Sequence, residues 1–487
     1  MGVTVEVVPK KWAGLQVVSF LGTLLFCLYI ATISHLDLLP WFDRYNEKRI
    51  LELLLLLVVT SLFLAVPSCR TQWLSMLGHL PGISKAILFC IVLAGLFSAA
   101  GAYFPRFALL EVNLFVLLFA ASICVACSRM QLGKVFENMV AITLFLMGWL
   151  YLAGFLGYYL TALSWEISLS RPDFWGNFSN IRFFNQLQSW TLSLMVIPLL
   201  LFPKRSFLIT ILFSAVAIGW WLLLFSSNCR GTLVGILFAF PITLLLFRKQ
   251  ARRWLQWQIV AIGGGLATYL LFFSLIPHLM AIEIPTILDR ELTQSNARIK
   301  LWSMAGKMVQ DQPWLGAGPM HFAAQSGDIA SHPHNALLQI AAEWGAPVAL
   351  LVLILFGWGV LAWLKNANPQ QHEEDKSLQA ALFASLLTAA VHSLFSGIIV
   401  MPMSQVMMVI VTGWMIGISA QSRDVEKNHS RLKHLALLLV TPMVFFSTLW
   451  PLFPEVRDLE KIQSEFVQSH PELKNLRPRF WQHGDLE

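Results

Sequence analysis

The chain has 487 residues, 57% hydrophobic and only 13% charged, with a mean hydropathy of +0.65. Soluble proteins carry about 25% charged residues, so a soluble globular fold is excluded and most of the chain belongs in a membrane. The net charge of +7 and pI near 9.1 suit Lys and Arg on cytoplasmic loops beside anionic headgroups, and no nucleic-acid partner is expected.

Apolar windows fall near residues 12–34, 50–67, 83–101, 107–127, 138–160, 187–202, 206–225, 231–247, 258–277, 346–364, 377–400, 402–420 and 435–452. They predict an all-α polytopic membrane protein of about thirteen transmembrane helices. The first follows Lys10 and Lys11 without a small-residue cleavage site and reads as a retained span. The six cysteines lie in or beside apolar runs, so no disulfide framework is expected; the Cys124/Cys127 pair, inside such a run, reads as packing. Lys10, Lys11, Arg129, Lys134, Lys204, Arg205, Arg248, Lys249, Arg252, Arg253, Lys365, Lys376, Arg423, Lys427, Arg431 and Lys433 all alternate onto one side, taken as cytoplasmic. Arg44, Lys48 and Arg49 break that rule. The chain divides into nine spans (1–277), an external helical loop between the ninth and tenth spans (278–345), four more spans (346–452) and an external tail (453–487). Pro369-Gln-Gln-His-Glu-Glu-Asp-Lys376 reads as a solvated cytoplasmic linker.

The long external loop is the natural place for chemistry. Asn296-Ala-Arg298-Ile-Lys300-Leu-Trp302 predicts a helix start capped by Ser295 or Asn296, with Arg298 and Trp302 on one face. Gln312-Pro-Trp-Leu-Gly316-Ala-Gly318-Pro319 turns the chain back. His332-Pro333-His334-Asn335 then opens a second helix, with Pro333 at its first position and Gly345 past its end. His334 in a first turn would stay neutral against the helix dipole, as a general base requires. A loop-capping histidine and a metal ligand are the competing readings. The scattered carboxylates Asp289, Glu291, Asp311 and Asp328 do not favour a metal.

Arg230, in Ser226-Ser-Asn-Cys-Arg230-Gly-Thr, sits at an external helix mouth, where an arginine needs an anionic partner. Paired with Arg298 it can clamp a diphosphate through bidentate forks; taken alone, each is equally an interfacial snorkelling residue. In the 161–186 loop, Trp175-Gly-Asn177-Phe-Ser-Asn180-Ile-Arg182-Phe-Phe-Asn185 combines amides, aromatics and a cation, suiting either sugar or phosphate recognition or an interfacial belt. Asn180, Arg182, Asn185, Trp302, His332 and Asn335 are candidate substrate contacts.

The Arg298-x-x-x-Trp302 helix, the Pro313-Trp-Leu-Gly-Ala-Gly-Pro319 turn and His332-Pro-His-Asn335 with Trp344-Gly345 resemble the bacterial superfamily of O-antigen ligases, O-antigen polymerases and PglL-type O-oligosaccharyltransferases. Val391-His392-Ser-Leu is similar to a family feature, but the acidic residue that often follows is absent and no role is assigned to His392. The resemblance implies a glycosyltransferase of the bacterial inner membrane that needs no cofactor or metal. It implies inverting transfer, at the periplasmic face, of a preassembled glycan from undecaprenyl diphosphate. Arg230 and Arg298 would hold the diphosphate, His334 would deprotonate the acceptor hydroxyl, and membrane lipids would flank the donor's tail. A Ser/Thr of a pilin-like protein is the first acceptor expected, because the tail offers a helix-like 459–466 stretch and the aromatics Phe480 and Trp481. A lipid A-core sugar is the alternative, followed by a growing glycan. A lipid-linked glycan flippase is the rival from another class, but it should carry ionisable groups deep in several helices, where only Glu52, Glu111 and His392 are candidates. Activity is expected to survive EDTA; loss of transfer on chelation, restored by Mg²⁺ or Mn²⁺, would overturn the metal-free expectation.

Overall fold

A computed structural model describes residues 10–165, 178–280, 294–325, 330–366, 373–420, 430–471, 476–484 and 486. Among them the chain is helical, without strands. It runs through α1 (Lys10–Thr32), α2 (Arg44–Ala65), α3 (Pro67–His79), α4 (Gly82–Gly101), α5 (Pro105–Leu132), α6 (Lys134–Ser164), α7 (Ile181–Thr191), α8 (Ile197–Leu201), α9 (Phe207–Ser227) and α10 (Arg230–Phe247). There follow α11 (Arg252–Leu270), α12 (Ile276–Leu279), α13 (Gln294–Asp311), α14 (Phe322–Gln325), α15 (Ala336–Trp344), α16 (Ala346–Asn366), α17 (Glu373–His392), α18 (Pro402–Ala420) and α19 (Arg431–Ser469). Trp175 to Asn177, Asp289 to Glu291, Asp328, Arg423, Lys427 and the linker's Pro369 to His372 lie outside the described residues.

Nine helical runs among the described residues are long and apolar enough to cross a membrane: α1, α4, α5, α6, α9, Arg230–Leu279, α16, α18 and α19. The protein is a multi-pass membrane protein. Four differences separate these from the thirteen expected windows, the first being that the 377–400 window is not among them: α17 opens on Glu373-Glu-Asp-Lys376 and stops at His392. Arg230–Leu279 holds two of them; its 50 residues would make about 75 Å of ideal helix, and the chain breaks at Arg248, φ 47. The 50–67 window ends at Val66, where Pro67 forces extended backbone and α3 leaves at 103° to α2. The 187–202 window is no single helix: α7 stops at Thr191, α8 has five residues, and Leu192, Leu194, Met195 and Val196 between them are buried in protein. Hydropathy scores an apolar residue alike whether lipid or protein surrounds it. Cys124 and Cys127 are free thiols deep in the packed face of α5, as the packing reading expects.

Of the charges that broke the orientation rule, Lys48 and Arg49 are buried and Arg44 is ion-paired nearer the surface. Asp43 caps α2 by accepting from the Tyr45 amide (2.8 Å), which sets Arg44, Glu47, Lys48 and Arg49 in its first turns. Arg44 pairs with Asp37 at 3.4 Å and Glu47 at 3.1 Å. The Lys48 amine lies 4.7 Å from the centre of the Phe178 ring. Arg49, 1% exposed, donates to Glu52 Oε2 and Gln405 Oε1 (both 2.5 Å), to Phe480 O (3.2 Å) and to Val400 O. Groups paired inside the fold report packing rather than topology.

The C-terminal tail returns into this network. Arg479 donates to both oxygens of Glu111 on α5 (2.8 and 2.9 Å) and to Glu343 Oε2 on α15 (2.6 Å), all three side chains being buried. The Arg479 carbonyl accepts from Tyr45 Oη at 2.6 Å, and the Gln482 amide donates to Asn46 Oδ1 at 2.8 Å. The 459–466 stretch is helical, inside α19. Phe480 and Trp481, expected as an acceptor-facing feature, are instead core residues at 4% and 1% exposure. Removing the cation from a buried cluster strands its carboxylates, so Arg479→Ala should destabilise by about 3 kcal/mol or more. The loss should show as a lowered unfolding midpoint in detergent, while Arg457→Ala, which breaks only a surface pair with Asp458, should leave the midpoint unmoved.

Candidate functional site

The turn before α15 is held from four directions. Ser331 Oγ donates to Arg477 O (2.6 Å) and lies 3.3 Å from Gly484 O, both in the tail. Trp302, one helical turn after Arg298 on α13, donates from Nε1 to Pro333 O at 3.0 Å. The Ala336 amide donates to Ser393 O at 2.9 Å, beyond the end of α17. The His332 ring rests on Gly397 and meets the His334 ring edge-on, centroids 4.2 Å apart.

His334 is not in a helical first turn. Asn335, extended at φ −148 and ψ 111, is the N-cap, accepting from the Leu338 amide at 3.0 Å, so α15 begins at Ala336 and Pro333 precedes it. An Asn side chain positioned to take an orphan amide outweighs the preference of Pro for a first position. His334 occupies the left-handed region at φ 55, uncommon for a non-glycine residue and a mark of a site whose surroundings over-determine it. Its amide donates to His332 Nδ1 (3.3 Å), so a neutral His332 carries its proton on Nε2. His334 does stay neutral, though for another reason than the helix dipole. Burial pushes its pKa down to about 3, with the nearby Arg182 and Arg298 cations adding to the effect. His332 is held well below the usual histidine range by burial first, then by His334, Arg479 and Arg182. The expected cap of α13 at Ser295 or Asn296 is displaced too, since that helix starts at Gln294.

The site therefore brings together His332, His334, Arg182, Arg298 and Trp302. Arg182 stands in the first turn of α7, whose cap is Asn180, accepting from the Arg182 amide at 2.9 Å. Arg230 opens α10, exposed, after Asn228 in the left-handed region. Its neighbour Gly231 packs on the ring of His392, and Arg298 lies within electrostatic reach of both His334 and His392. The Asn185 side chain is turned into the protein. It is 1% exposed and donates to Ser227 Oγ (2.8 Å) and Gln188 Oε1 (2.9 Å), tying α7 to the end of α9. Asn335 and Asn180 act as helix caps. His321 is likewise structural, accepting from the Phe104 amide at 2.8 Å while Nδ1 lies 2.8 Å from Pro319 O.

The glycine turn after α13 serves the histidine turn indirectly. The Ala317 and Gly318 amides donate to the Ala342 and Glu343 carbonyls (2.9 and 3.0 Å), satisfying the open C-terminus of α15. Gly316, at φ 69, comes so near that a Cβ there would lie 2.4 Å from the Glu343 carbonyl carbon. Sequence reasoning missed the approach of His392 to the arginines and the role of Glu343 and Arg479. Glu343 sits in an apolar run four residues after Gln339, a spacing that also fits an exposed helix face. Among the described residues, no group of three or more His, Cys, Asp and Glu is disposed to hold a metal ion.

No curated protein gave a match to the chain. Residues 215–354 match the O-antigen ligase family model, Wzy_C. That segment contains Arg230, Arg298, Trp302, the glycine turn, His332 and His334, and over it the chain is similar to the O-antigen ligase family, which supports the resemblance to the superfamily of O-antigen ligases, O-antigen polymerases and PglL-type oligosaccharyltransferases.

Proposed function

We propose that the protein transfers a preassembled glycan from undecaprenyl diphosphate to an acceptor hydroxyl at the periplasmic face of the inner membrane. The observation that carries this reading is a neutral, half-buried His334 whose charged neighbours are Arg182 and Arg298. Cations fixed beside a neutral imidazole suit a reaction in which an anionic leaving group departs while a hydroxyl loses its proton. In that step the acceptor oxygen bonds to the anomeric carbon, and the carbon–oxygen bond to the diphosphate breaks with its electron pair leaving on phosphate oxygen. The acceptor proton passes to His334. Arg298 and Arg230 would receive the diphosphate, and Arg182 would face it from α7. The lipid tail would lie along the exposed apolar faces of α10 and α11.

The acceptor proposed is a lipid A-core sugar hydroxyl, the alternative that the resemblance implies, and the ligase description of the matching family favours it. The expectation of a Ser/Thr on a pilin-like protein leaned on the 459–466 stretch, which is helical, and on Phe480 and Trp481, whose burial removes the aromatic part of that support. Incubating the purified protein with lipid-linked glycan and either rough lipopolysaccharide or pilin tests the choice; glycosylated pilin in place of extended lipopolysaccharide would reverse it.

His334→Ala should lower the transfer rate by roughly 10² or more with little change in donor binding. A near-normal rate, or a loss confined to donor binding, would remove His334 as the base. His332, like His334, lies outside the helix and contacts His334 directly. Loss of the ring that supports His334 and accepts its amide should cost at least tenfold in rate, about 1.4 kcal/mol of transition-state stabilisation.

The pH dependence follows from the direction of the shift. In the free protein the depressed pKa of about 3 keeps His334 unprotonated throughout the neutral range. A bound diphosphate cancels part of the Arg182 and Arg298 charge and raises that pKa. The acid limb of kcat, which reports the complex, should therefore lie at higher pH than that of kcat/KM for the donor, which reports the free protein. Coincident acid limbs would contradict the assignment. Arg298→Ala and Arg230→Ala should each reduce transfer by about 10² or more while the protein remains folded in the membrane, through loss of about 3 kcal/mol of charge stabilisation.

A further inference from the structure

His392 ends α17 inside the protein at 3% exposure, and the glycosyl-transfer step above does not use it. Its Nδ1 lies 2.7 Å from Ser189 Oγ and 3.4 Å from Thr232 Oγ1. Among the described residues no hydrogen bond reaches its Nε2. The Nε2 edge is aimed at the first turn of α10, where a Cβ on Gly231 would fall 2.5 Å from both Nε2 and Cδ2. Any side chain at 231 would displace the ring, so glycine there leaves the imidazole edge and the helix terminus in direct contact.

That terminus is open. Cys229 gives α10 no side-chain cap, and the first amides of a helix have no partner within it. They point outward with the positive end of the helix dipole, beside the Arg230 side chain. The neighbouring hydroxyls allow the imidazole to present a proton there. Ser189 Oγ and Thr232 Oγ1 both reach Asn185 O, at 3.0 and 3.2 Å. Thr232 can therefore satisfy that carbonyl while Ser189 donates to Nδ1, which places the histidine proton on Nε2.

We propose that His392 Nε2–H and the open first turn of α10 form a seat for one phosphate of the donor's diphosphate. This rests on the glycosyl-transfer reading above and adds a contact to it. The seat hydrogen-bonds oxygens that gain charge as the glycan leaves, and it lies on a different helix from the Arg298 fork. The bond is to a charged group, so losing it should weaken diphosphate binding by about tenfold or more.

The test uses the full-length protein in nanodiscs, with undecaprenyl diphosphate and undecaprenyl monophosphate as probes. The unaltered protein should prefer the diphosphate. His392→Phe, which keeps ring volume without an N–H, should lose about tenfold in diphosphate affinity with monophosphate affinity nearly unchanged. His392→Gln, whose amide can reach the Nε2 position, should recover part of the loss. Gly231→Ala, which crowds the ring, provides an independent variant and should lose affinity in the same selective way. If the unaltered protein does not discriminate between the probes, the glycosyl-transfer reading itself fails. If it discriminates, and the folded variants do so equally well, the seat alone is overturned.

Discussion

A guanidinium enclosed by two carboxylates in the protein interior is the constraint on which the rest of the site depends. Arg479 joins Glu111 and Glu343, which lie 368 and 136 positions away in the chain, through contacts of 2.6–2.9 Å. Such a cluster contributes little net stability relative to a well-packed apolar substitute, because desolvating three charges offsets most of their attraction. Its contribution is directional. An apolar contact tolerates sliding, whereas two carboxylates converging on one guanidinium nitrogen, Arg479 Nη2, fix the register of α5, α15 and the tail. The same tail segment accepts from Ser331 through the Arg477 carbonyl, so the position of the histidine turn is referred to the far end of the chain.

The features legible in the sequence were those written in local chemistry. Apolar length announced the helical membrane fold, the Arg298 to Trp302 spacing placed a cation and an indole on one helix face, and Gly345 marked the end of α15. Two kinds of feature were not legible. One is the distinction between lipid and protein as apolar surroundings, which made the buried break between α7 and α8 look like a span. The other is long-range pairing. Arg49 among acidic neighbours looks like a loop charge until Gln405 and the Phe480 carbonyl arrive from elsewhere in the chain. Asn185 was the reverse case: its amide has the chemistry of a sugar contact, but Ser227 and Gln188 occupy it.

The cause of the neutrality of His334 bears on how such a site would work. A helix dipole contributes the same field with or without ligand. Burial and two arginines act differently. Burial, the larger effect, is permanent, while the arginine contribution lasts only as long as those charges are uncompensated. On the proposed reading, the donor's diphosphate compensates them. The cations that attract the donor are then also the groups that suppress the base before the donor arrives, and binding relieves that suppression. Basicity is coupled to donor occupancy through charge alone, with no conformational change required. The coupling favours an order in which the donor binds first and the acceptor hydroxyl then meets a more basic imidazole.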